Sequence, residues 1–325
     1  MIDYNIQDFQ YQISLYCPGE CVNCSIWKYD KYEITKDEIE VEDFESVIQS
    51  KVLENVEYIQ LTAGEVQLSP KYARIVKLIA KHKPKAFIHT NISGWYPQKH
   101  YSVTKECLEV VSPDNFRIDI SLDGRKETYE KIRLVKNGYD KVFETLKLLK
   151  TLNCKIRLVF TIYKENYQDM EWLINIANEY QVDYYFEFVR ESNFLNNFGS
   201  TTFLNFTEDE LVYIENILSK SDFIKREDRY IKWERAKQIY KGKNLPFSCH
   251  MGKTSIVLDP NGNVYPCIEA LDMLNMGNVK DYDNNLDELL QSDNSKNVLK
   301  LIKDKKCQPC GMLCLQEIGV ESDLV

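Results

Sequence analysis

The sequence predicts an α/β fold, which is either an α/β layer or a partial (β/α)6 barrel, followed by a small C-terminal domain made of a β-hairpin and a helix. Two observations lead to this fold. Apolar segments of strand length alternate with amphipathic helical segments through the first two-thirds of the 325-residue chain. That order is typical of parallel strands joined by crossover helices. The last third instead has two short strand-like segments and five of the ten cysteines.

Six segments have the length and apolar content of strands buried in a sheet. They are residues 11–16, 56–62, 86–92, 116–122, 155–163 and 182–189. Apolar residues at helical spacing lie between them, most clearly in residues 69–81, 139–152 and 170–180. Because the carboxyl ends of parallel strands meet on one side of the sheet, we expect the polar motifs that follow these segments to form one site.

Three regions are predicted along the chain. They are a barrel over residues 1–200, a helical linker over residues 201–245 and the C-terminal domain over residues 246–325. In the linker, Thr207 followed by acidic residues predicts a capped helix over residues 207–218. Residues 230–240 show a second helical pattern.

Three cysteines follow the first predicted strand at the spacing Cys-x3-Cys-x2-Cys: Cys17, Cys21 and Cys24. Three thiolates this close together can hold three irons of a cubane iron–sulfur cluster. No fourth cysteine follows nearby, and no histidine occurs before His82. The fourth iron is therefore open to a ligand that is not protein. A structural zinc site would need a fourth protein ligand, and a disulfide framework is typical of short secreted chains.

This arrangement resembles the radical S-adenosylmethionine (SAM) superfamily, in which SAM chelates the open iron through its amino and carboxylate groups. The resemblance covers about residues 9–195 and implies a barrel of the radical SAM type. It also implies a [4Fe–4S] cluster bound to SAM, and reductive cleavage of SAM to a 5′-deoxyadenosyl radical that abstracts hydrogen from a substrate carbon.

The resemblance assigns SAM-binding roles to residues at the ends of several strands. The family has a Gly-Gly-Glu-Pro stretch after its second strand, which meets the SAM amino group, and here Gly64 and Glu65 are the matching pair. The first glycine and the proline of that stretch are replaced by Ala63 and Val66. A carboxylate suits an ammonium group, so the chemistry of the motif is kept.

Four further SAM-binding residues are implied by their order and location: Ser121, Asp123, Arg133 and Asn166. The serine is expected to reach the SAM carboxylate or ribose, the arginine to pair with the carboxylate, and the asparagine to contact the ribose. Arginine suits a carboxylate because its forked guanidinium is permanently charged. Taken alone, each of these motifs is more often only structural.

The chain departs from the family just before the third cysteine. The family usually has an aromatic residue there, which stacks near the adenine, whereas this chain has Asn23. We expect another side chain to cover the adenine, with Trp27 and Tyr29 as the candidates.

The C-terminal domain has a second set of cysteines. Strand-like residues 255–258 and 263–265 flank an Asp-Pro-Asn-Gly sequence, which predicts a hairpin that brings Cys249 and Cys267 to one metal. With the Cys-x2-Cys pair that follows, this resembles the SPASM extension or its shortened Twitch form. The resemblance implies one auxiliary [4Fe–4S] cluster, which we assign to Cys249, Cys267, Cys307 and Cys310. Cys314 is a fifth cysteine where four suffice, and it is left as a reserve ligand in place of Cys310 or as a hydrogen donor.

Spacing alone leaves a zinc ribbon open for the same four thiolates. The other two cysteines, Cys107 and Cys154, are predicted to be ordinary buried thiols.

Composition excludes several classes of function. The net charge of −9 and the pI near 5.2 argue against nucleic-acid or anionic-membrane binding. The sequence has no run of 18 apolar residues, so we expect no membrane span. Ten cysteines without a secretory signal predict a reducing compartment, the cytoplasm.

Three functions remain open from the sequence. Relatives with this extension mostly modify ribosomally made peptides by crosslinking, epimerisation or oxidation, which predicts an oxidoreductase or peptide maturase. A minority with a shortened extension oxidise an alcohol on an aminocyclitol, and the spacing of the C-terminal cysteines is closest to theirs. A non-catalytic two-cluster electron-transfer protein is the third. An enzyme of this kind needs a peptide or small-molecule substrate and an electron donor such as flavodoxin or ferredoxin.

Overall fold

The computed structural model describes residues 2–189, 195, 197, 206–221, 249–271 and 274–304. The strands in these ranges are β1 Asp8–Ser14, β2 Tyr58–Ala63, β3 Phe87–Ile92, β4 Phe116–Ser121, β5 Lys155–Ile162, β6 Asp183–Phe188, β7 Ser255–Leu258, β8 Asn263–Tyr265 and β9 Gly277–Asn278. The α-helices are α1 Lys31–Thr35, α2 Val41–Ile48, α3 Tyr72–His82, α4 Pro97–Cys107, α5 Lys126–Arg133, α6 Gly138–Lys150, α7 Met170–Tyr180, α8 Glu208–Lys220, α9 Leu286–Leu290 and α10 Asp293–Lys303.

The described strands form one sheet in the order β6-β5-β4-β3-β2-β1-β7-β8-β9. Neighbours from β1 to β6 are parallel, and each follows its neighbour in the chain with at least one helix between them. This confirms the predicted α/β fold with six parallel strands. Strands β2 to β6 agree with the predicted segments to within two residues at each end, whereas β1 begins three residues earlier than predicted.

Strands β3, β5 and β6 alternate in burial because one face of the sheet is covered by the crossover helices. In β5, every second residue is buried, from Ile156 to Ile162, and the intervening side chains are half-buried or exposed. Helix α6 contributes Val142, Leu146 and Leu149 to the same core. The apolar face of the sheet therefore forms the core, and the polar motifs lie at the ends of the strands.

Helix α8 in the linker is capped as the sequence predicts. The hydroxyl of Thr207 accepts a hydrogen bond from the backbone N–H of Glu210, and the Glu210 carboxylate accepts one from the Thr207 N–H. Each bond satisfies a donor that the first turn of a helix leaves unpaired. The predicted helix over residues 230–240 lies outside the described residues. No helix in the described part of the chain is long and apolar enough to cross a membrane.

The C-terminal hairpin joins the barrel sheet directly. Strand β7 pairs in parallel with β1, from Asp8 opposite Ser255 to Tyr11 opposite Leu258, and β8 pairs antiparallel with β7. Asp259 holds the turn, since its Oδ1 accepts hydrogen bonds from the N–H groups of Asn261 and Asn263. The predicted hairpin is present, and it extends the sheet beyond β1. Strand β9 was not predicted, and where the sequence predicts one helix in the C-terminal domain, the described residues contain two, α9 and α10. The boundaries at residues 200 and 245 stay a prediction.

Candidate functional site

The three N-terminal cysteines lie in the loop after β1. Cys21 is buried, whereas Cys17 and Cys24 are half-buried. The backbone N–H of Cys24 donates to the carbonyl of Cys21, which makes a tight turn at the third cysteine. The N–H of Val22 donates to the carbonyl of Ile132 in α5, which ties this loop to the element after β4. We call residues 15–25 the cysteine loop.

The residues after β2 hold the start of the cysteine loop. The N–H of Gly64 donates to the carbonyl of Ser14, and the N–H of Glu65 donates to the carbonyl of Tyr16, both at 2.9 Å. A Cβ on Gly64 would overlap the Tyr16 carbonyl, so only glycine fits there. Ala63 has a φ of +110°, a conformation that suits glycine. The predicted pair Gly64 and Glu65 therefore lies directly against the cysteine loop.

A tryptophan after β3 supports the other side of this loop. The indole of Trp95 is buried, its Nε1 donates to the hydroxyl of Tyr129 at 2.7 Å, and its ring lies so close to Gly19 that a Cβ there would collide with it. The sequence interpretation did not single out Trp95. The signal was available, because Trp95 follows the predicted strand over residues 86–92 by three positions, at the edge where the site was expected.

Arg133, the last residue of α5, joins the end of β4 to the cysteine loop. Its Nε donates to Oδ2 of Asp123 at 2.5 Å, and its Nη1 lies 3.9 Å from Sγ of Cys21. Asp123 is fully buried, and its other oxygen accepts from the N–H of Thr161. Burial disfavours the charge of Arg133, but Asp123 and Cys21 outweigh it and raise the guanidinium pKa. Arg133 is therefore charged, with its fork shared between an acid and a thiol.

Asn166 ties the ends of β4 and β5 together. Its Oδ1 accepts from the N–H of Tyr163, and its Nδ2 donates to the carbonyls of Asp123 and Thr161. All three bonds are to backbone, and the residue is buried. Ser121 is the last residue of β4 and is half-buried. SAM contacts for Ser121, Asp123 and Asn166 stay predictions, while the structure shows that Asn166 fixes the backbone around Asp123.

The C-terminal cysteines are described only in part. Cys249 lies before β7 and Cys267 after β8, and both are half-buried against the core. The three remaining predicted residues lie outside the described residues: Cys307, Cys310 and Cys314.

The comparisons with known proteins address the barrel first. The model of the radical SAM superfamily matches residues 11–177. The chain belongs to the radical SAM superfamily. A second model, SPASM, an iron–sulfur cluster-binding domain, matches residues 249–312. As a radical SAM enzyme with a SPASM domain, the chain uses SAM, a SAM-bound [4Fe–4S] cluster and an auxiliary [4Fe–4S] cluster, as expected from the sequence.

Similar proteins include a maturating enzyme and solved structures with bound peptides. A cysteine-type anaerobic sulfatase-maturating enzyme of Clostridium novyi (strain NT) is 25% identical over 272 residues, which are 76% of this chain and 68% of the relative. SuiB of Streptococcus suis bound to its precursor peptide SuiA has a TM-score of 0.67 at 15% identity, covering 95% of this chain and 70% of SuiB. The enzyme anSMEcpe with AdoMet and the Kp18Cys peptide has a TM-score of 0.62 at 18% identity, covering 95% of this chain and 88% of that one.

The residues of this radical SAM chain fit the amino group of SAM. Oε2 of Glu65 accepts from the N–H of Ser93 at 2.9 Å, but Oε1 has no hydrogen-bond partner among the described residues. Glu65 is buried, and burial raises its pKa to about 7. A buried carboxylate oxygen without a donor is an unusual cost in a folded protein. An N–H donor from a ligand would remove that cost, as the family's use of this position implies.

The cysteine loop fits a polynuclear metal cluster. Burial raises the pKa of Cys17 to about 12 and that of Cys24 to about 11, so thiolates here need a strong positive charge nearby. A bound metal supplies it, because a coordinating thiol is deprotonated. Within the described ranges, no three His, Cys, Asp or Glu side chains converge as one ion would require. A cubane does not need that convergence, since each thiolate binds a different iron.

The adenine side of the radical SAM site is less defined. Trp27 is half-buried with Lys28 Nζ 5.4 Å from its ring centre, and Tyr29 is 45% exposed. The carbonyl of Asn23, which replaces the family's aromatic residue, accepts from Nδ2 of Asn197. Coverage of the adenine by Trp27 or Tyr29 stays a prediction.

Proposed function

We propose that this chain is a peptide-modifying radical SAM enzyme, which abstracts hydrogen from a carbon of a ribosomally made peptide and leads to a crosslink, an epimerised residue or an oxidised side chain. One observation carries the proposal. The similarity to a sulfatase-maturating enzyme spans 76% of the chain, more than the 167 residues that the barrel model matches. It therefore includes sequence beyond the barrel match.

When bound, SAM and the reduced cluster supply the 5′-deoxyadenosyl radical that starts the reaction. The protein binds SAM, orients it and shields the site from water. Glu65 offers a carboxylate to the amino group, Arg133 carries a positive charge beside Cys21, and Trp95 and Tyr129 form a buried wall behind the cysteine loop. Such fixed groups in a dry site cost no reorganisation during the reaction.

The C-terminal thiolates have a different role in the proposal. Four ligands, Cys249, Cys267, Cys307 and Cys310, leave no open iron in a cubane. We assign them to hold an electron acceptor or relay. The reaction also needs an external one-electron donor, which we propose to be a flavodoxin or ferredoxin, and the cytoplasm is the compartment in which such donors and reduced thiols coexist.

A second candidate is dehydrogenation of an alcohol on an aminocyclitol or sugar. The observation that favours it is the spacing of the C-terminal cysteines, which resembles the alcohol-oxidising relatives. This candidate shares the radical step with the first and differs only in the substrate. A two-cluster electron-transfer protein differs from both, because it would leave SAM intact.

The experiment uses the full chain, reconstituted with iron and sulfide under anaerobic conditions and then reduced. We expect 5′-deoxyadenosine and methionine from SAM in a chromatographic assay, and none from the variant with Cys17, Cys21 and Cys24 all replaced by Ala. Zinc in place of iron, or SAM cleavage by that variant, would contradict the radical SAM site. SAM left intact by the wild type would favour the electron-transfer protein.

Substrate class is then tested by mass spectrometry. The panel contains short precursor peptides encoded beside the gene, the Kp18Cys peptide, and aminocyclitols. A mass change in a peptide that depends on SAM supports the proposal. A ketone formed only from an aminocyclitol would replace it with the second candidate.

A further inference from the structure

A buried polar cluster lies behind Glu65, on the side of helix α4. His100 and Thr104 face the core from α4, and Gln67 reaches them from the short turn after Glu65. Nδ1 of His100 lies 2.8 Å from Oε1 of Gln67, and Nε2 of Gln67 donates to the hydroxyl of Thr104 at 3.2 Å. Each of these four side chains is at most 3% exposed. We call Glu65, Gln67, His100 and Thr104 the Glu65 cluster.

The hydrogen-bond direction in this cluster fixes the proton on His100. Because the amide of Gln67 donates to Thr104, its oxygen faces the imidazole and accepts a hydrogen bond from the N–H at Nδ1. A neutral imidazole protonated at Nδ1 presents a lone pair at Nε2. Burial, with a smaller contribution from the charge of Lys99, lowers the pKa of His100 to about 3, so the ring is neutral.

The lone pair of His100 faces the unpaired oxygen of Glu65. Nε2 and Oε1 are 4.0 Å apart, and neither has a hydrogen-bond partner among the described residues. With Glu65 ionised, two acceptors would face each other in a buried site, which is a costly arrangement. A proton on Oε1 makes Glu65 the donor and His100 the acceptor, and thus satisfies both atoms after a small closure of the gap.

We propose that His100 is a positioning residue that holds Glu65 as a neutral carboxylic acid until SAM binds, so that binding the SAM amino group expels that proton. The O–H bond of Glu65 breaks, the proton leaves to solvent, and the carboxylate that remains accepts an N–H from the ligand. His100 thereby makes SAM affinity depend on pH near neutrality.

The charged and titratable groups around Glu65 agree with this assignment. From α4 and its N-terminus it is faced by His100 and Tyr96, from α5 by Arg133, and from the cysteine loop by Cys17. The charge of Arg133 and the bond from Ser93 lower the pKa of Glu65, but burial dominates and raises it to about 7. Arg133 has its own acid in Asp123, which limits its effect on Glu65.

The pairing is tested first without SAM, by infrared spectroscopy of the reconstituted full chain. The unpaired Oε1 of Glu65 and the lone pair of His100 Nε2 face each other at 4.0 Å, so a proton on Oε1 at about pH 6 is expected to be lost at about pH 8.5. We expect the C=O band of a buried carboxylic acid at the lower pH, its loss at the higher pH, and its absence in Glu65→Gln. If the wild type at pH 6 lacks a band that distinguishes it from Glu65→Gln, Glu65 is ionised and the proposal is overturned.

The link to SAM is tested by calorimetry in buffers of different ionisation enthalpy. At about pH 6 the wild type should release about one proton more than Glu65→Gln, and at about pH 8.5 the difference should vanish. Protons lost by SAM itself cancel in the comparison. Equal release at pH 6 would overturn the coupling. The assignment of Glu65 to the SAM amino group is tested separately at pH 8.5, where the wild-type carboxylate is ionised. It is wrong if Glu65→Gln binds SAM there as tightly as the wild type.

Two variants of His100 separate the effect of its lone pair from the effect of its side-chain volume. In His100→Gln an amide N–H near the Nε2 position can donate to Oε1, so the acid band at pH 6 should disappear and SAM affinity should rise up to about tenfold there, with no gain at pH 8.5. His100→Phe fills similar space without a donor, so the band should remain at pH 6. An unchanged band and pH profile in His100→Gln would show that His100 does not control the proton.

Discussion

Nη1 of Arg133 lies 3.9 Å from Sγ of Cys21, while Nε of the same guanidinium donates to the fully buried carboxylate of Asp123. One side chain thus connects the acid after β4 to a predicted iron ligand. Burial raises the pKa of the Cys21 thiol, and the charge of Arg133 opposes that rise. When Cys21 is a thiolate, Arg133 therefore lies between two negative groups, Asp123 and Cys21, and stabilises both.

Removal of Arg133 alone should destabilise the fold strongly. In Arg133→Ala the buried Asp123 loses its charged partner, and breaking a buried ion pair on one side typically costs about 3–5 kcal/mol. Asp123→Asn together with Arg133→Ala should cost less than the sum of the two single changes. Urea unfolding of the four proteins measures this. Lys131→Ala, which removes an exposed pair with Glu127, is the control and should cost less than about 1 kcal/mol. If Arg133→Ala lowers the free energy of unfolding no more than Lys131→Ala does, the prediction of a stabilising buried ion pair is wrong.

Gly19→Ala should disturb the N-terminal cluster. A Cβ at Gly19 would enter the space of the Trp95 ring, and such overpacking typically costs about 1–3 kcal/mol. Because the cost falls on the cysteine loop, we expect iron content to drop by up to about four per chain and SAM cleavage to fall with it. The exposed neighbour provides the control, since Glu20→Ala should keep full iron. Partial recovery in Gly19→Ala with Trp95→Leu would identify the ring as the cause, and normal iron in Gly19→Ala alone would refute the prediction.

Ala63→Gly should stabilise the protein. Ala63 has a φ of +110°, a conformation that costs a residue with a Cβ about 1–3 kcal/mol. Glycine removes this strain, but its greater freedom in the unfolded chain lowers the stability by less than about 1 kcal/mol. We expect the free energy of unfolding to rise by about 1 kcal/mol in urea denaturation. Ala80→Gly in the interior of α3 is the matched control and should lower it by about 1 kcal/mol. Loss of stability in both variants would show that position 63 is not strained.

Asp119 on β4 should determine part of the acid sensitivity. Burial opposes its charge, but His89, Arg157 and Arg117 outweigh burial and hold its pKa well below the usual range. Its contribution to stability is therefore complete above the unfolded pKa of about 3.9 and is lost as the pH falls towards the folded pKa. Asp119→Asn should unfold more easily near neutrality, and its deficit should shrink below about pH 4. A deficit that does not change with pH in urea unfolding would contradict this.

Loss of the auxiliary ligands should leave SAM cleavage intact. Cys249→Ala or Cys267→Ala should lower iron from about eight towards about four per chain, because only the second cluster is lost. Production of 5′-deoxyadenosine should continue, while turnover of the final substrate should fall. Cys107→Ala is the control, since this buried thiol of α4 should affect packing and not iron. Complete loss of SAM cleavage in Cys249→Ala would show that the clusters are not independent.

Cys314→Ala separates two roles of the fifth C-terminal cysteine. As a hydrogen donor, Cys314 would deliver a hydrogen atom to a peptide Cα radical, and deuterium from heavy water would enter that position in the wild type but not in the variant. Iron content should then stay at about eight per chain. Iron that drops to about four would instead make Cys314 a ligand.

The parallel barrel could be predicted from sequence because its signals are local. In β5 the buried residues Ile156, Leu158, Phe160 and Ile162 repeat at a period of two, and turn residues follow each strand. The cysteine loop was also predicted, since its spacing lies within eight consecutive residues. The start of strand β1 was predicted three residues too late. The polar residues Asp8 and Gln10 do not show the apolar pattern expected of a strand that is paired on both edges.

Contacts between distant segments could not be predicted in the same way. The parallel pairing of β7 with β1 depends on a register between residues 247 positions apart, Asp8 and Ser255, for which no local pattern exists. The role of His100 could be predicted only in part. It shares a buried helical stripe with Val103, Thr104 and Cys107, at spacings of three, four and seven residues, which indicates burial. Its approach to Glu65 becomes visible only when α4 is packed onto the sheet.

The pairing of β1 with β7 has a consequence during synthesis. Strand β1 leaves the ribosome well before its native neighbour on one edge, which begins at Ser255. At about 5–20 residues per second, that edge waits roughly 10–50 seconds for its partner. An unpaired strand edge is a template for association with other chains. We therefore expect expression yield to depend on translation speed and on chaperones that shield the unpaired edge of strand β1, independently of iron supply.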